Sequence, residues 1–327
     1  MTLAEAAKSI AEPVLAELAL AENELANMFA DESEAVKDMA GQANQYGGKR
    51  LRPILVLLCG GMVGTRTDEH PKLAAIVEIL HMASLMHDDV LDEADTRRQV
   101  TTLNALYGNQ LPILMGDLVY TRAFSLSISL STLHAAHVLA RASEAICLGE
   151  IEQSFLRYSR DYDESRYYRV IELKTGELFG ASCELGARYA GGTDEQTEAL
   201  REFGESLGMG FQIIDDCLDI VGDEGVVGKS LGTDLETGKV TLPIIRLAQT
   251  LDDAGKERLR HVLYGDIEGR RRDLLAETFD LDPIVARCQE EATDWVRKSL
   301  AKLDMFDEGP EKSSLRDICT FIINRTY

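Results

Sequence analysis

The stretch from His81 to Arg98 ends an apolar run with Asp88, Asp89 and Asp92. At about 100° per residue, a helix gathers these three carboxylates within an arc of about 100°. Like charges that close repel one another, and a cation among them relieves the repulsion. Oxygen ligands alone suit a hard ion such as Mg2+. For this stretch alone a solvated acidic face remains open, because the chain carries a net charge of −22. The pattern recurs, however: Asp215, Asp216 and Asp219 have the same spacing and follow Phe211-Gln212 at the end of another apolar run. Two such clusters point to facing helices that share divalent metal.

Cations accompany both clusters. Gly47-Gly48-Lys49-Arg50-Leu51-Arg52-Pro53 sets three cations beside a glycine pair. Pro53 suits the first turn of a helix over Ile54–Gly64, whose backbone N–H groups also favour an anion, so this segment reads as a phosphate or diphosphate site. An ordinary basic loop is the alternative. His81 shares a helical stripe with Val77, Ser84, Asp88 and Asp92; taken singly it could equally be a core histidine. Arg97 and Arg98 fall off that stripe unless the chain turns near Ala94. Lys174, in Lys174-Thr175-Gly176 on a mostly apolar helix, needs a partner or must snorkel to water. After the second cluster, Gly222 to Lys239 carries Gly228-Lys229-Ser230 and Gly238-Lys239 and reads as a flap over a phosphate-bearing ligand.

Long helices are what must position these groups. The chain has 327 residues, only seven prolines and little sustained apolar alternation, so an all-α fold is expected. Helical periodicity covers about residues 3 to 44 as two helices broken near Asp31, Pro71 to about Glu93, and two helices between Leu111 and Tyr158. Further helices cover residues 163 to 190, closed by Gly191-Gly192, and Asp194 to about Val221. Residues 249 to 310 read as amphipathic packing helices with no chemistry of their own. There is no linker, and a site built from residues 88 and 219 needs one folding unit, so residues 1–327 are expected to form a single domain.

Composition excludes other classes. The net acidity and the lack of a basic stripe argue against nucleic acid, and for an anionic substrate local cations must do the recruiting. Six scattered cysteines, with no CxxC pair, fit reduced thiols in the cytoplasm. No signal peptide or membrane-spanning run is evident.

With both aspartate clusters placed, the chain resembles the trans-isoprenyl diphosphate synthases, or polyprenyl synthetases, and is read as resembling their long-chain, octaprenyl type. The matching motifs are Gly-Gly-Lys-Arg-Leu-Arg-Pro at 47–53, His81, Asp-Asp-x-x-Asp-x4-Arg-Arg at 88–98, Lys174-Thr175, Phe211-Gln212 before Asp215–Asp219, Gly228-Lys229, and Asp234-Leu235-x-x-Gly-Lys-x-Thr-Leu-Pro243. The resemblance implies a single large helical bundle with a central active-site cavity, usually a homodimer, that condenses isopentenyl diphosphate with an allylic diphosphate. It implies Mg2+ held by Asp88, Asp92 and Asp215 with Asp89, Asp216 and Asp219 in support. Arg97, Lys174, Lys229 and Lys239 would hold the allylic diphosphate, and Lys49, Arg52, His81 and Arg98 would hold isopentenyl diphosphate. Thr175 and Gln212 would face the developing carbocation, and the released diphosphate would take up the proton. Two departures stand out. Ser230 replaces a proline common in the family, and the ending Asn324-Arg325-Thr326-Tyr327 is less basic than usual, which leaves Arg325 without an assigned role.

Product length depends on the wall beside the first acidic helix. Ala83 and Ser84 occupy positions where short-product members place aromatic side chains, so a long product is expected, with a geranylgeranyl or farnesyl length as the alternative. Small residues there could instead serve close helix crossing. Other readings are weaker. A terpene cyclase relative does not need the 47–53 site. A di-iron carboxylate bundle wants two Glu-x-x-His motifs, and only Glu78-x-x-His81 is present. A non-catalytic subunit of a heteromeric synthase would be expected to have lost part of the motif set.

Overall fold

A computed structural model describes residues 10–46, 48–158, 162–222 and 231–324. The chain divides into two compact units. One comprises Met1–Glu144, Leu178–Gly204 and Leu300–Ile318; the other comprises Ala145–Glu177, Glu205–Ser299 and Cys319–Tyr327. Among the described residues the only strands are Thr96–Arg97 and Val100–Thr101, a two-stranded antiparallel hairpin, and nearly everything else regular is helix.

In the first unit the helices Leu51–Val63 and His70–Leu91 form the centre. Leu55, Val56, Leu57, Leu58 and Cys59 are fully buried, as are Leu73, Ala74, Ala75, Ile76, Val77 and Leu80. Both helices are apolar around most of their circumference, the pattern of helices surrounded on all sides. Their neighbours approach closely: a side chain at Gly186 would collide with the Val56 carbonyl. Arg66 ties the periphery together through Glu17 at 2.7 Å and Glu311 at 3.1 Å.

The second unit packs around the stretch of Asp194–Val221 that follows residue 204. Met209, Ile213, Ile214, Cys217, Leu218 and Ile220 sit in one core with Leu242, Ile244, Leu259, Cys288 and Ala292. Buried Arg246 is satisfied there by Glu291, with Nε–Oε1 and Nη2–Oε2 both at 2.8 Å, and by Glu164.

Several boundaries differ from the sequence expectation for local reasons. The helix expected over Ile54–Gly64 begins at Leu51, so Pro53 is its third residue, and Arg50 caps it in the left-handed conformation, φ 51°. The helix expected over 163–190 is interrupted by a π-helical segment, Glu172–Gly176, between Glu164–Ile171 and Glu177–Tyr189. That segment contains Lys174 and Thr175, and such insertions recur at functional sites. Helix Asp194–Val221 has the expected bounds. Residues 223–230 of the flap expected over Gly222–Lys239, with Lys229, lie outside the described residues, as does Arg325; Thr233–Glu236 is a short helix.

Candidate active site

In the first unit, the first acidic helix stops at Leu91 because the chain turns out of it. Ala94 N–H donates to Asp89 O at 2.9 Å and Glu93 N–H to Val90 O at 3.3 Å, with Glu93 at φ 50°. This is the crossed hydrogen-bond pair of a Schellman stop, with glutamate where glycine is usual. Asp92 thus becomes the C-cap, one turn beyond Asp88. Arg98 and Gln99 then reverse the chain at positive φ, 52° and 65°, a two-residue hairpin loop.

The hairpin returns Arg97 to the helix and sends Arg98 to the loop at Tyr46 and Gly48. Arg97 Nε donates to Asp89 Oδ1 at 2.7 Å. Asp89 is only 2% exposed, and its Oδ2 is buried without a hydrogen-bond partner. Burial raises its carboxyl to about 6; Arg97 pulls it down, and Asp88 and Asp92 push it up. Arg98 Nη1 donates to Tyr46 O at 2.6 Å, and its guanidinium lies where a side chain at Gly48 would be, 2.5 Å from that would-be Cβ. The glycine-rich basic loop and the hairpin are therefore in contact. Tyr46 fixes the hairpin's far end by accepting Leu103 N–H at 2.7 Å.

His81 is half-buried in this cationic surrounding. Burial, then Arg52, Arg98, Arg97 and Arg50, hold its imidazole well below the ordinary range, so it is neutral. Arg52 stacks on Phe179, 4.8 Å from the ring centroid, and Lys49 is exposed on the loop. Arg50 bonds Glu78 at 2.6 Å. Glu78-x-x-His81 is thus a guanidinium-paired carboxylate beside an imidazole among arginines, a place that repels metal cations and attracts anions. Ala83 is fully buried, and Ser84 returns its hydroxyl to His81 O at 2.8 Å.

In the second unit a hydrogen-bonded chain joins four side chains. Thr175 Oγ1 donates to Gln212 Oε1 at 2.9 Å, Gln212 Nε2 donates to Asp216 Oδ1 at 2.8 Å, and Tyr167 OH donates to Asp216 Oδ2 at 2.7 Å. Burial, with Asp234 and Asp215 adding repulsion, raises Asp216 to about 8 against the two donors. Asp219, 2% exposed, accepts Asp234 N–H at 3.1 Å and Thr233 Oγ1–H at 3.3 Å, so it caps the short helix that follows. Lys239 approaches Asp234 at 3.6 Å. Asp216 and Asp219 are committed to protein partners; Asp215 stands half-buried beside them. Lys174 lies apart from this chain, bonded to Glu150 and Gln153.

These donors fit a hard divalent ion. No complete cage of three or more His, Cys, Asp or Glu ligands exists among the described residues. Mg2+ does not require one, since it keeps several waters and takes one or two carboxylates. Asp88 and Asp92, one turn apart and oxygen-only, offer that number, with a buried, unsatisfied Asp89 oxygen adjoining them.

Sequence reasoning missed Tyr46, Tyr167, Glu150, Gln153 and the arginines at 270 and 272. Arg272 Nε donates to Ile220 O at 2.5 Å and its Nη2 to Gly222 O, while Arg270 donates to Leu231 O at 2.6 Å. Nothing in their local sequence signals these partners, which lie 39 or more residues away.

Comparison with known proteins gives one consistent result. The polyprenyl synthetase family model matches residues 33–277. Octaprenyl diphosphate synthase of Escherichia coli is 35% identical over 85% of this chain and 86% of its own. A short chain isoprenyl diphosphate synthase of Methanothermobacter thermautotrophicus is 31% identical over 86% and 87%. The solved decaprenyl diphosphate synthase of Rhodobacter capsulatus superposes with a TM-score of 0.91 at 30% identity, covering 98% of this chain and 99% of that one. A polyprenyl synthase of Caulobacter crescentus, solved with calcium and isoprenyl diphosphate, gives 0.89 at 31%, covering 98% of both. No described helix is long and apolar enough to cross a membrane. The family match and these relatives make this chain a member of the all-α polyprenyl synthetase family and a prenyltransferase of the prenyl diphosphate synthase kind.

Proposed function

We propose that the chain condenses isopentenyl diphosphate with an allylic diphosphate to give a long trans-polyprenyl diphosphate, as a single catalytic domain acting as a cytoplasmic homodimer. The observation that carries this reading is the hairpin after the first acidic helix. It folds Arg97 onto Asp89 at 2.7 Å and leaves Asp88 and Asp92 at the helix end. Carboxylates for a metal and a guanidinium for a diphosphate thereby come from one short stretch.

In this reading Asp88, Asp92 and Asp215 hold Mg2+, which when bound supplies Lewis-acid neutralisation of the departing diphosphate. Asp89, Asp216 and Asp219 are the support: each is fixed by protein donors rather than offered outward. Arg97, Lys174, Lys229 and Lys239 hold the allylic diphosphate. The guanidinium of Arg97 has five N–H donors and uses one on Asp89, so its other edge serves the anion. Lys49, Arg52 and Arg98 bind isopentenyl diphosphate beside neutral His81, which can donate one N–H without adding charge.

The carbon–oxygen bond of the allylic substrate breaks as negative charge passes to the leaving diphosphate, where fixed cations stabilise it. Thr175 and Gln212 turn oxygen dipoles toward the allylic cation, and their mutual hydrogen bond fixes that orientation. The double bond of isopentenyl diphosphate attacks, and proton loss to the released diphosphate completes one five-carbon addition.

Small side chains at Ala83 and Ser84 support a long product. An exposed apolar stripe on Gln110–Ile128, with Leu111, Leu114 and Ile128 all more than 40% exposed, supports pairing of copies. The six described cysteines are all free thiols, in keeping with a reducing compartment. Incubating labelled isopentenyl diphosphate and Mg2+ with geranyl, farnesyl or geranylgeranyl diphosphate, then sizing the dephosphorylated products, tests the reading. Incorporation into chains longer than geranylgeranyl supports it, shortening by Ser84→Phe supports the wall assignment, and no incorporation with any primer refutes it.

A further inference from the structure

Lys174 is held by two side chains of one neighbouring helix. Its stem crosses Gly149, where an added Cβ would lie 2.7 Å from Lys174 Cγ and 3.2 Å from Lys174 N. That close approach brings the ammonium to Glu150 Oε2 and, at 2.7 Å, to Gln153 Oε1. Arg157 lies 3.8 Å from the other oxygen of Glu150, and the side chains of Lys174, Glu150 and Arg157 are all less than 20% exposed. An ammonium has three N–H donors, so two are engaged and their directions fix the third.

We propose that Glu150 and Gln153 are positioning residues for the allylic diphosphate, acting through Lys174. They aim its third donor, and the negative charge of Glu150 moderates the hold so that the diphosphate leaves after each addition. This rests on Lys174 being a diphosphate ligand. Two features separate aiming from simple packing. The two acceptors are nearly isosteric but differ by one charge, and they touch the same nitrogen. Exchanging charge between them therefore changes the field at Lys174 with little change of shape, and screening is weak where the groups are mostly shielded from water.

The test titrates inorganic diphosphate with Mg2+ into the full chain by calorimetry, alongside thermal melting and steady-state kinetics. Glu150→Gln is expected to bind diphosphate about tenfold more tightly, to turn over more slowly, and to keep its KM for isopentenyl diphosphate. Gln153→Glu is expected to bind about tenfold more weakly. The double exchange, which restores the charge count, is expected to return toward the parent value, and Lys174→Met to abolish the difference between the two single variants. The inference is overturned if both single variants shift binding in the same direction, or if neither moves it more than about twofold while Lys174→Met weakens it. If Lys174→Met leaves binding unchanged, the ligand role of Lys174 fails first and this inference falls with it. Should Glu150→Gln not fold, the sign for Gln153→Glu decides.

Discussion

Replacing Gly48 by alanine probes the basic loop with almost no change of composition. The new Cβ would fall 2.5 Å from Arg98 Nη1 and 3.1 Å from its Cζ, so the guanidinium must retreat by about 1 Å. Arginine ends move easily, and the backbone has no need to follow. The retreat nevertheless breaks the 2.6 Å bond from Arg98 Nη1 to Tyr46 O, which fixes the fork's direction. A hydrogen bond from a charged group contributes about 1.5–3 kcal/mol. If half of that is lost from the binding of isopentenyl diphosphate, KM rises about three- to twelvefold. The melting temperature should fall by no more than a few degrees, because water can replace the lost partner at this half-exposed site. Steady-state kinetics with each substrate varied in turn is the assay: KM for isopentenyl diphosphate rises and KM for the allylic primer stays. In an Arg98→Ala background the glycine change should have no further effect. An unchanged KM for isopentenyl diphosphate, or an equal rise for both substrates, would refute the link between Gly48 and Arg98.

Other perturbations read other parts of the structure. Tyr167→Phe removes a buried donor from Asp216 while Gln212 remains; a loss of about 1–2 kcal/mol in stability and a higher Mg2+ requirement are expected, and chemical denaturation with metal titration checks both. Arg272→Met strips Ile220 O and Gly222 O of their donor, so a loss of about 2 kcal/mol is expected, whereas equal denaturation midpoints would contradict the anchoring role. His70 is fully buried, accepts Thr67 N–H at Nδ1 at 2.8 Å and contacts Gly186 O at 3.1 Å through Nε2. Burial, with Arg66 adding repulsion, depresses its pKa against the pull of Gly186 and Thr67, so the folded state holds it neutral. Its contribution is present above the ordinary histidine value and is lost as pH falls below it, since the unfolded chain binds the proton first. The stability advantage over His70→Gln, measured by melting from pH 8 to pH 5, should therefore shrink toward the acid end.

Much of the fold was legible because helical periodicity is a local property. The bounds of Asp194–Val221 follow from an acidic start and an apolar stripe, and the need for the chain to turn near Ala94 follows from Arg97 and Arg98 lying off the stripe of Asp88 and Asp92. The demand that Lys174 find a partner was also readable, since a cation on an apolar helix cannot stay bare. Which partner was not. Glu150 lies 24 residues away on another helix, and Tyr167 reaches Asp216 across 49. Such pairings depend on how helices cross, and a single sequence holds no direct record of that. Within each acidic triad the resemblance alone separated supporting from metal-holding carboxylates; the burial and protein donors of Asp89, Asp216 and Asp219 have no local signature in the sequence.

Backbone strain is the least legible feature and the most closely tied to the site. Among the described residues, positive φ at non-glycine positions occurs at Arg50, Glu93, Arg98, Gln99 and Tyr158. Arg50 opens the helix that carries Arg52. Glu93 ends the helix that carries Asp88, and Arg98 with Gln99 form the reversal that returns Arg97 to Asp89. Tyr158 donates its N–H to Gly238 O at 2.9 Å and lays its ring where a side chain at Gly238 would be, which holds the turn before Lys239. None of these residues signals a left-handed turn, and each such conformation costs on the order of 1 kcal/mol. Glycine or asparagine would relieve that cost, so at Arg50, Glu93, Arg98 and Tyr158 the strain is retained where a charged or aromatic side chain stands at the turn itself, and Gln99 is the exception. It follows that Gln99→Gly, whose side chain has no assigned contact, should stabilise the chain by about 1 kcal/mol without altering kinetics, whereas Arg98→Gly should bring a similar backbone gain and raise KM for isopentenyl diphosphate. Melting curves and kinetics on the two variants separate the backbone contribution from that of the side chain; a Gln99→Gly protein less stable than the parent would show that the hairpin is not strained.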